Sequence, residues 1–311
     1  MMKKIKLITH NGSFHADDVF ACATLILYIE KNNKNFSAQG RPVSGWEIIR
    51  TRDEEIIKSG DYVFDVGGIY DESMNRFDHH QPGGAGKREN GIEYSSFGLV
   101  WKKFGMEICK DKKSPILIDE RLVAPIDAGD NGFDLVENKH QIAPYFIQHA
   151  MFSMRPTWRE TDLNEDEMFL KSVSFAKEIL SREIIQIQDG ILAEDLVIAA
   201  YNNAPDKRII VLDKNYPYEY ILNNFPLPLY VIYFKASSNR WMAHAVRQDP
   251  KTFKNRKDFP KSWAGLRDEE LQKITGVPDA VFCHRGLFLA VAESKEGAIK
   301  LAQIALLEPS H

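Results

Sequence analysis

Cysteine is rare in this sequence. The 311 residues include three cysteines, which lie far apart and form no CxxC motif. An odd number of isolated cysteines excludes a disulfide-stapled fold and disfavours a structural zinc site of the all-cysteine kind. We therefore expect free thiols and a reducing compartment, the cytoplasm.

Long hydrophobic runs are also missing. The longest apolar stretch, residues 19–29, is bounded by Asp18 and Glu30. A membrane-spanning helix needs about 20 apolar residues, so we expect no membrane as a partner. The apolar segment near the N-terminus ends at His10, before a signal-peptide core would be complete. We interpret that segment as the first strand of a cytoplasmic domain.

Neither sign of charge dominates. The chain has 40 Lys and Arg residues against 44 Asp and Glu residues, a formal net charge of −4. No global positive field is present to attract nucleic acid or an anionic membrane. An anionic partner must therefore be held by a local site, where bound cations would reverse the sign of clustered carboxylates.

The composition is that of a globular protein. Hydrophobic residues make up 44% and charged residues 27% of the chain, and a chain of this length buries at least one full core and, we expect, two. Strand-like and helix-like stretches alternate in the first half, which favours an α/β fold around a mostly parallel sheet. The predicted strands are 5–9, 46–51 and 62–66, and the predicted helices are 17–31, 95–104 and 120–128.

A long amphipathic helix follows. Its apolar residues recur every three or four positions from Phe169 to Ile191, and Asn164 with Glu167 resembles a capping box. Later segments predict strands at 196–200, 208–212, 229–235, 241–246 and 288–291 and a final helix at 295–307. We therefore predict an N-terminal domain of residues 1–163, a connecting helix of residues 164–191 and a smaller C-terminal α+β domain of residues 192–311.

Histidines and carboxylates are concentrated in four segments, residues 9–18, 64–68, 77–81 and 126–132. The first two segments directly follow predicted strands, so their polar groups should meet at one edge of the sheet. Imidazole and carboxylate ligands together suit two divalent metals that share a bridging carboxylate. Such a pair activates water for attack on phosphorus, which predicts a hydrolase of phosphoesters or phosphoanhydrides.

Each residue also has a simpler interpretation. Asp17 or Asp18 would cap the following helix, Asp65 before two glycines would form a turn, and a lone histidine is more often packed than ligating. The neighbours His79 and His80, however, point to opposite sides of an extended segment. One would face a metal and the other a substrate.

The four segments resemble the DHH phosphoesterase superfamily and, within it, the MYG family of metal-dependent hydrolases, which are regarded as 3′–5′ exoribonucleases. The likeness extends to residues 155–158 and 263–267 and so covers nearly the whole chain. It implies a DHH-type catalytic domain with two metals and a C-terminal domain that binds substrate. Superfamily relatives usually carry Asp where His15 stands, which alters the charge around the first ion.

The resemblance also implies a role for each residue. The residues that would hold the first ion are His10, His15 and a bridging Asp65. Those that would hold the second ion are Asp17, Asp65, His79 and either Asp127 or Asp130, which share a helical face. His80 would contact the phosphate, and Asp78 would orient a ligating histidine. Mn²⁺ is the expected metal, with Mg²⁺, Co²⁺ and Zn²⁺ as alternatives.

Substrate-binding residues are predicted outside the metal segments, at Arg155, His284, Arg285, Lys87 and Arg88. The last two follow glycines 83, 84 and 86, but this loop is not a P-loop, because Gln81 and Arg88 stand where the motif needs Gly and Ser or Thr. A basic stripe at residues 247–267 is interleaved with Phe253, Phe259 and Trp263. This stripe suits single-stranded nucleic acid, or it is a solvated loop.

The leading hypothesis is a two-domain, metal-dependent phosphodiesterase, a 3′–5′ exonuclease that acts on RNA or short oligonucleotides. One alternative is a hydrolase of a small phosphate compound such as pyrophosphate, a nucleotide or a cyclic dinucleotide. A second alternative is a binding protein whose metals are structural. A homodimer is compatible with each of these functions.

Overall fold

Two β-sheets organise the chain, one in each of two structural units. The computed structural model describes residues 4–32 and 45–308. The first unit comprises Met1–Gln188 and the second Asp189–His311. Both units combine a sheet with helices, which confirms the predicted α/β class. The division into catalytic, connecting and substrate-binding parts stays a prediction.

The first sheet is mostly parallel. Its strands are β1 (Ile5–Thr9), β2 (Trp46–Arg50), β3 (Tyr62–Phe64), β4 (Tyr70–Asp71) and β5 (Arg76–Phe77). They lie in the order β2-β1-β3-β5-β4, and β4 pairs antiparallel with β5 while the other pairs are parallel. Because β1, β3 and β5 are neighbours, their carboxyl ends meet at one edge of the sheet.

Helix α1 (Ala16–Asn32) is buried along most of its length, since its sequence is apolar on nearly every side. It packs against α3 (Ser96–Cys109). The other helices of this unit are α2 (Glu54–Lys58), α4 (Ser114–Ile118), α5 (Ala124–Asp130), α6 (Ile147–Ser153) and the first part of α7 (Glu165–Asn203). A 3₁₀ turn at Glu72–Met74 and a π-helical turn at Asp119–Val123 complete it.

The second sheet is mostly antiparallel. Its strands are β6 (Ile209–Val211), β7 (Tyr230–Lys235), β8 (Arg240–Ala245), β9 (Ala280–Cys283) and β10 (Leu289–Ala292), in the order β6-β7-β8-β10-β9. β6 and β7 are parallel, and the other pairs are antiparallel. The helices of this unit are the last part of α7, α8 (Glu219–Asn223), α9 (Asp268–Thr275) and α10 (Lys295–Leu307), with a 3₁₀ turn at Lys261–Trp263.

The long helix differs from its prediction. α7 continues to Asn203, so the strand predicted at residues 196–200 is wrong. Ala193 and Val197 are both buried and lie four residues apart, which continues the helical period. Val197 packs into a cluster with Ile210 and Leu212. Tertiary packing therefore overrides the local preference of this apolar segment for a strand.

The three cysteines are free and buried. Among residues 4–32 and 45–308, no helix is both long and apolar enough to cross a membrane.

Candidate metal centre

Three parallel strands end at the candidate metal centre. His10 follows β1, Asp65 follows β3, and residues 78–80 follow β5. The loop after β1 leads into α1, whose first turn carries Asp17. The last residue of α5 is Asp130. These polar segments converge because neighbouring parallel strands end at the same edge.

Asp65 lies between two histidines. Its Oδ2 is 3.2 Å from Nε2 of His10, and its Oδ1 is 3.3 Å from Nε2 of His79. Its φ of 54° is in the left-handed region, which Asp tolerates better than most residues. The hydroxyl of Ser96 donates to Oδ1 over 3.1 Å and helps to hold the carboxylate. Oδ1 is also 3.6 Å from Nδ1 of His80. The two carboxylate oxygens thus face different histidines, as a bridge between two metal ions requires.

His79 stands among carboxylates from three elements. Besides Asp65, its Nε2 is 3.4 Å from Oδ2 of Asp130 and 3.8 Å from Oδ2 of Asp17. Ligand atoms of His15, Asp17 and Asp130 also lie within 4.8 Å of one another. The structure therefore brings Asp17, Asp65 and His79 together with Asp130 as the carboxylate of the fourth segment.

Two further groups share Asp65. The ligand atoms of Asp65, His79 and His80 lie within 4.8 Å of one another, as do those of His10, His15 and Asp65. Nδ1 of His10 is 3.0 Å from the carbonyl oxygen of Asn11, so in the neutral ring Nδ1 donates and Nε2 keeps its lone pair towards the centre. Asp18, to which the sequence assigned no more than a capping role, also contacts that Nε2, at 3.3 Å.

Asp18 also holds the loop before α1. Its Oδ1 accepts a hydrogen bond of 2.9 Å from the amide of His15. This bond resembles the helix cap considered from the sequence, but the contact with His10 adds a role at the centre. The signal that the sequence offers for this second role is the position of Asp18 directly after Asp17, in a segment rich in His and Asp.

The clustered carboxylates of the centre favour the binding of cations. Burial and the negative charges of Asp65 and Asp130 raise the pKa of Asp17 well above its usual value. Both carboxylate oxygens of Asp17 are buried and receive no hydrogen bond from the described residues, and an unpaired buried carboxylate is costly. Four carboxylates at the centre, those of Asp17, Asp18, Asp65 and Asp130, would balance two divalent ions.

His10 reflects the same excess of negative charge. Burial lowers the pKa of His10, but its contacts with Asp18 and Asp65 outweigh burial and raise that pKa to about 10. Without a metal, the centre holds protons that bound cations would replace. Mixed nitrogen and oxygen donors fit a manganese-type ion better than magnesium. The residues present therefore fit divalent metals.

Asp127 lies apart from the centre. Its Oδ2 is 2.7 Å from Nη1 of Arg88, and its Oδ1 accepts hydrogen bonds from the hydroxyl of Ser95 (2.5 Å) and the amide of Gly98 (3.0 Å). Arg88 also binds Asp119 through two hydrogen bonds of 2.7 and 2.8 Å. Asp127 and Asp119 therefore neutralise the guanidinium of Arg88 within the fold, and a contact of Arg88 with substrate stays a prediction.

Asp78 contacts a different histidine from the one expected. Its Oδ1 is 2.8 Å from Nδ1 of His80, and its Oδ2 accepts a 2.6 Å hydrogen bond from the amide of Gly68. The expectation that Asp78 orients a metal-ligating histidine changes accordingly, since its partner is the histidine assigned to the phosphate. The ring of His80 is 63% exposed, so Asp78 fixes a ring that is open to a substrate.

The other predicted substrate-binding residues lie outside the cluster of ligand atoms. Arg155 is in the first unit, where its guanidinium lies 4.3 Å from the centre of the Phe152 ring. Lys87 is exposed on a short bridge with Glu93. His284 and Arg285 lie between β9 and β10 of the second unit, where Nδ1 of His284 accepts from the amide of Gly286.

The basic stripe is partly structural. Phe259 and Trp263 are 1% and 3% exposed and belong to the core of the second unit, so their interpretation as stacking platforms is wrong. The guanidinium of Arg256 donates to the carbonyl oxygens of Phe225 and Pro228. Phe253, at 90% exposed, keeps a free ring face near Arg247.

A cavity of 630 Å³ opens beside the candidate metal ligands. Besides His15, Asp65, His79, His80 and Asp130, it is lined by Phe133, Phe146, His149 and Phe152. These aromatic residues were missed from the sequence, because residues 133–146 contain no helix or strand and α6, which holds His149 and Phe152, is too short to carry a periodic signal. The volume is typical of a small-molecule site.

Adding Mn²⁺ is expected to stabilise the protein. At one hundred times its Kd, a ligand that binds the folded state alone contributes about 2.7 kcal/mol, which corresponds to a rise in Tm of about 5–10 °C for a unit of this size. Differential scanning fluorimetry with Mn²⁺ and then EDTA measures the rise and its reversal. The D17N variant should melt no lower than the wild type without metal but lose most of the Mn²⁺ effect. An equal rise in both proteins would contradict a metal site at Asp17.

The family to which the chain belongs follows from comparison with known proteins. The family model MYG1_exonuc, described as an uncharacterised protein family (UPF0160), matches residues 6–306.

Human MYG1 exonuclease is 28% identical over 344 residues, which covers 100% of this chain and 88% of the human protein. A MYG1 protein of Schizosaccharomyces pombe is 28% identical over 342 residues and is covered in full, as is this chain. A MYG1 protein of Caenorhabditis elegans is 30% identical over 336 residues, with 96% of this chain and 94% of the relative covered. No solved structure matches. The chain therefore belongs to the MYG1 family, as the resemblance of its sequence motifs indicated.

Proposed function

We propose that this protein is a metal-dependent phosphodiesterase that removes nucleotides from the 3′ end of RNA or short oligonucleotides. The observation that carries the proposal is the position of Asp65, whose two carboxylate oxygens face His10 and His79 separately at 3.2 and 3.3 Å. Relatives named exonucleases support a nuclease, and the DHH resemblance supports phosphorus as the site of attack.

The ligand sets proposed for two ions share Asp65. The first set is His10, His15 and Asp65, and the second is Asp17, Asp65, His79 and Asp130. Two Mn²⁺ ions bound there would lower the pKa of a water molecule and neutralise charge on the phosphoryl oxygens. Asp18 holds His10 and the loop of His15 in place.

His80 would protonate the leaving group. The bond between Asp78 and Nδ1 leaves Nε2 of His80 free on an exposed ring. Asp78 fixes the orientation of the ring through Nδ1, so Nε2 of the doubly protonated ring would be placed to donate a proton to the ester oxygen as the P–O bond breaks. The water would release one proton to solvent and its oxygen would form the new P–O bond, so that the products would be a nucleotide and a strand that is one nucleotide shorter.

Hydrolysis of a 5′-labelled RNA with Mn²⁺ tests the proposal. A 3′–5′ exonuclease shortens the labelled strand stepwise and releases mononucleotides, whereas a 5′–3′ enzyme releases the label first. Pyrophosphate and a cyclic dinucleotide, assayed in parallel, test the small-phosphate alternative. Turnover of pyrophosphate but of no oligonucleotide would overturn the proposal, as would the absence of any turnover by protein shown to contain metal.

Arg155 is expected to bind a substrate phosphate. Its guanidinium lies over the Phe152 ring, and the centroid of that ring is 6.2 Å from the centroid of the His15 ring. Nε and Nη2 of Arg155 are buried and have no acceptor in the described part of the chain. A hydrogen bond to a charged group contributes about 1.5–3 kcal/mol, so R155A should lower kcat/KM about 10- to 100-fold, mainly through KM. R155K should recover little, because Lys lacks the planar fork. The exposed Arg159 provides the matched control, R159A, and an equal loss there would contradict the assignment.

A further inference from the structure

The cavity beside the metal ligands has an aromatic wall, formed by Phe146, His149 and Phe152. The three residues come from α6 and the position before it. Phe146 and Phe152 are 36% and 41% exposed, so these rings are not core residues of the first unit. Exposed rings that line a cavity next to polar groups are typical of a ligand site.

The wall is continuous with the metal centre. The ring centroid of Phe152 lies 6.2 Å from that of His15 and 6.5 Å from that of His149, and His149 lies 5.9 Å from Phe146 at an interplanar angle of 29°. A planar group carried by a substrate whose phosphate is at His15 would therefore meet the wall. Every nucleobase offers such a planar face.

His149 adds a polar group that the metal centre does not use. Its Nδ1 accepts a 2.9 Å hydrogen bond from the amide of Phe146. In the neutral ring this assigns the hydrogen to Nε2, which is then a donor on an exposed side chain that lines the cavity. The ring acceptors of a base would be partners for that donor.

We propose that Phe146, His149 and Phe152 form a nucleobase site, in which the base of the nucleotide being cut stacks on the aromatic rings and accepts a hydrogen bond from Nε2 of His149. This inference rests on the proposed function and specifies its substrate: nucleotides with a base are preferred to phosphodiesters without one. The site tolerates different bases, since stacking uses their shared planar face.

Kinetics on two matched RNAs test the site. One RNA ends in an ordinary nucleotide and the other in an abasic residue at the position that is cut. Loss of base stacking costs about 10- to 100-fold, so the wild type should prefer the ordinary RNA by about that factor. F146L, which stays apolar but loses the planar ring, and H149F, which keeps a ring but loses the donor, should lower kcat/KM on the ordinary RNA and leave the abasic RNA unchanged. F175L replaces a ring of similar exposure on α7 and should change neither.

Binding gives a second, independent measurement. Titration calorimetry compares AMP with ribose 5-phosphate, and the wild type should bind AMP more tightly by a factor that F146L and H149F reduce. Equal losses on both RNAs, or an unchanged preference for AMP in both variants, would overturn the nucleobase site. If the wild type cuts neither RNA but binds AMP through this wall, the exonuclease proposal fails and the nucleobase site stands.

Discussion

Replacing Asp65 by Asn is expected to abolish metal-dependent hydrolysis. The variant keeps the shape of the side chain but removes the charge that faces His10 and His79. Two-metal sites stabilise the transition state by several kcal/mol, and each 1.36 kcal/mol is tenfold in rate. The rate constant for RNA hydrolysis with Mn²⁺ should therefore fall at least about a thousandfold. Metal analysis should show fewer ions per chain.

The fold of D65N should survive, which makes the loss of activity informative. Asn tolerates the left-handed backbone conformation of this position as well as Asp does. Its amide oxygen can still accept from the hydroxyl of Ser96. The matched control is D53N, since Asp53 caps α2 in the same unit and Asn caps equally well. Full activity in D65N, or an equal loss in D53N, would contradict the bridging role.

The first sheet could be largely predicted from the sequence, because its longer strands carry apolar and β-branched patterns. β1 was predicted with its observed bounds, and β2 and β3 within two residues. β4 and β5 have two residues each, too few for any pattern. The polar segment 77–81 was nevertheless recognised by its own chemistry, although the strand that positions it was not.

The second unit shows the limits of local patterns. Phe259 and Trp263 stand among basic residues, which suggested exposed platforms, yet they fill the core between the sheet and α10. Their burial depends on elements far away in the sequence. The aromatic wall of the cavity was missed because Phe146 directly precedes the short helix α6 and Phe152 lies within it, and a helix of this length is too short for an amphipathic period to be recognised.

The choice between Asp127 and Asp130 could not be made from spacing, because both positions lie near one face of α5. The distinction comes from Arg88, distant in the sequence, which pairs with Asp127 and leaves Asp130 to face His79. Gly98 leaves room for the side chain of Asp127 in this position, since a Cβ on residue 98 would lie 1.9 Å from Oδ2 of Asp127. A pair of variants therefore separates the two roles.

D127N is expected to destabilise the protein and to leave its response to metal intact. Burial raises the pKa of Asp127 to about 7, and Arg88 keeps Asp119 as a partner, so the loss of charge alone costs little. The Asn amide would, however, turn a donor towards Nη1 of Arg88 in place of an acceptor, which costs about 1–3 kcal/mol. Tm should therefore fall by about 2–12 °C while the Mn²⁺-induced rise persists. D130N should do the reverse. Burial and the negative charge of Asp65 raise the pKa of Asp130, so neutralising this side chain should not lower the metal-free Tm.

In D130N the Mn²⁺-induced rise in Tm should shrink, and hydrolysis should fall at least about a hundredfold, because a carboxylate of the second ligand set is missing. Scanning fluorimetry measures the Tm of both variants with and without Mn²⁺, and the RNA assay measures their rates of hydrolysis. A D127N protein that loses its metal response without losing stability would assign the ligand to Asp127 instead. The two side chains lie one helical turn apart, and their opposite signatures follow from the charges that each one faces.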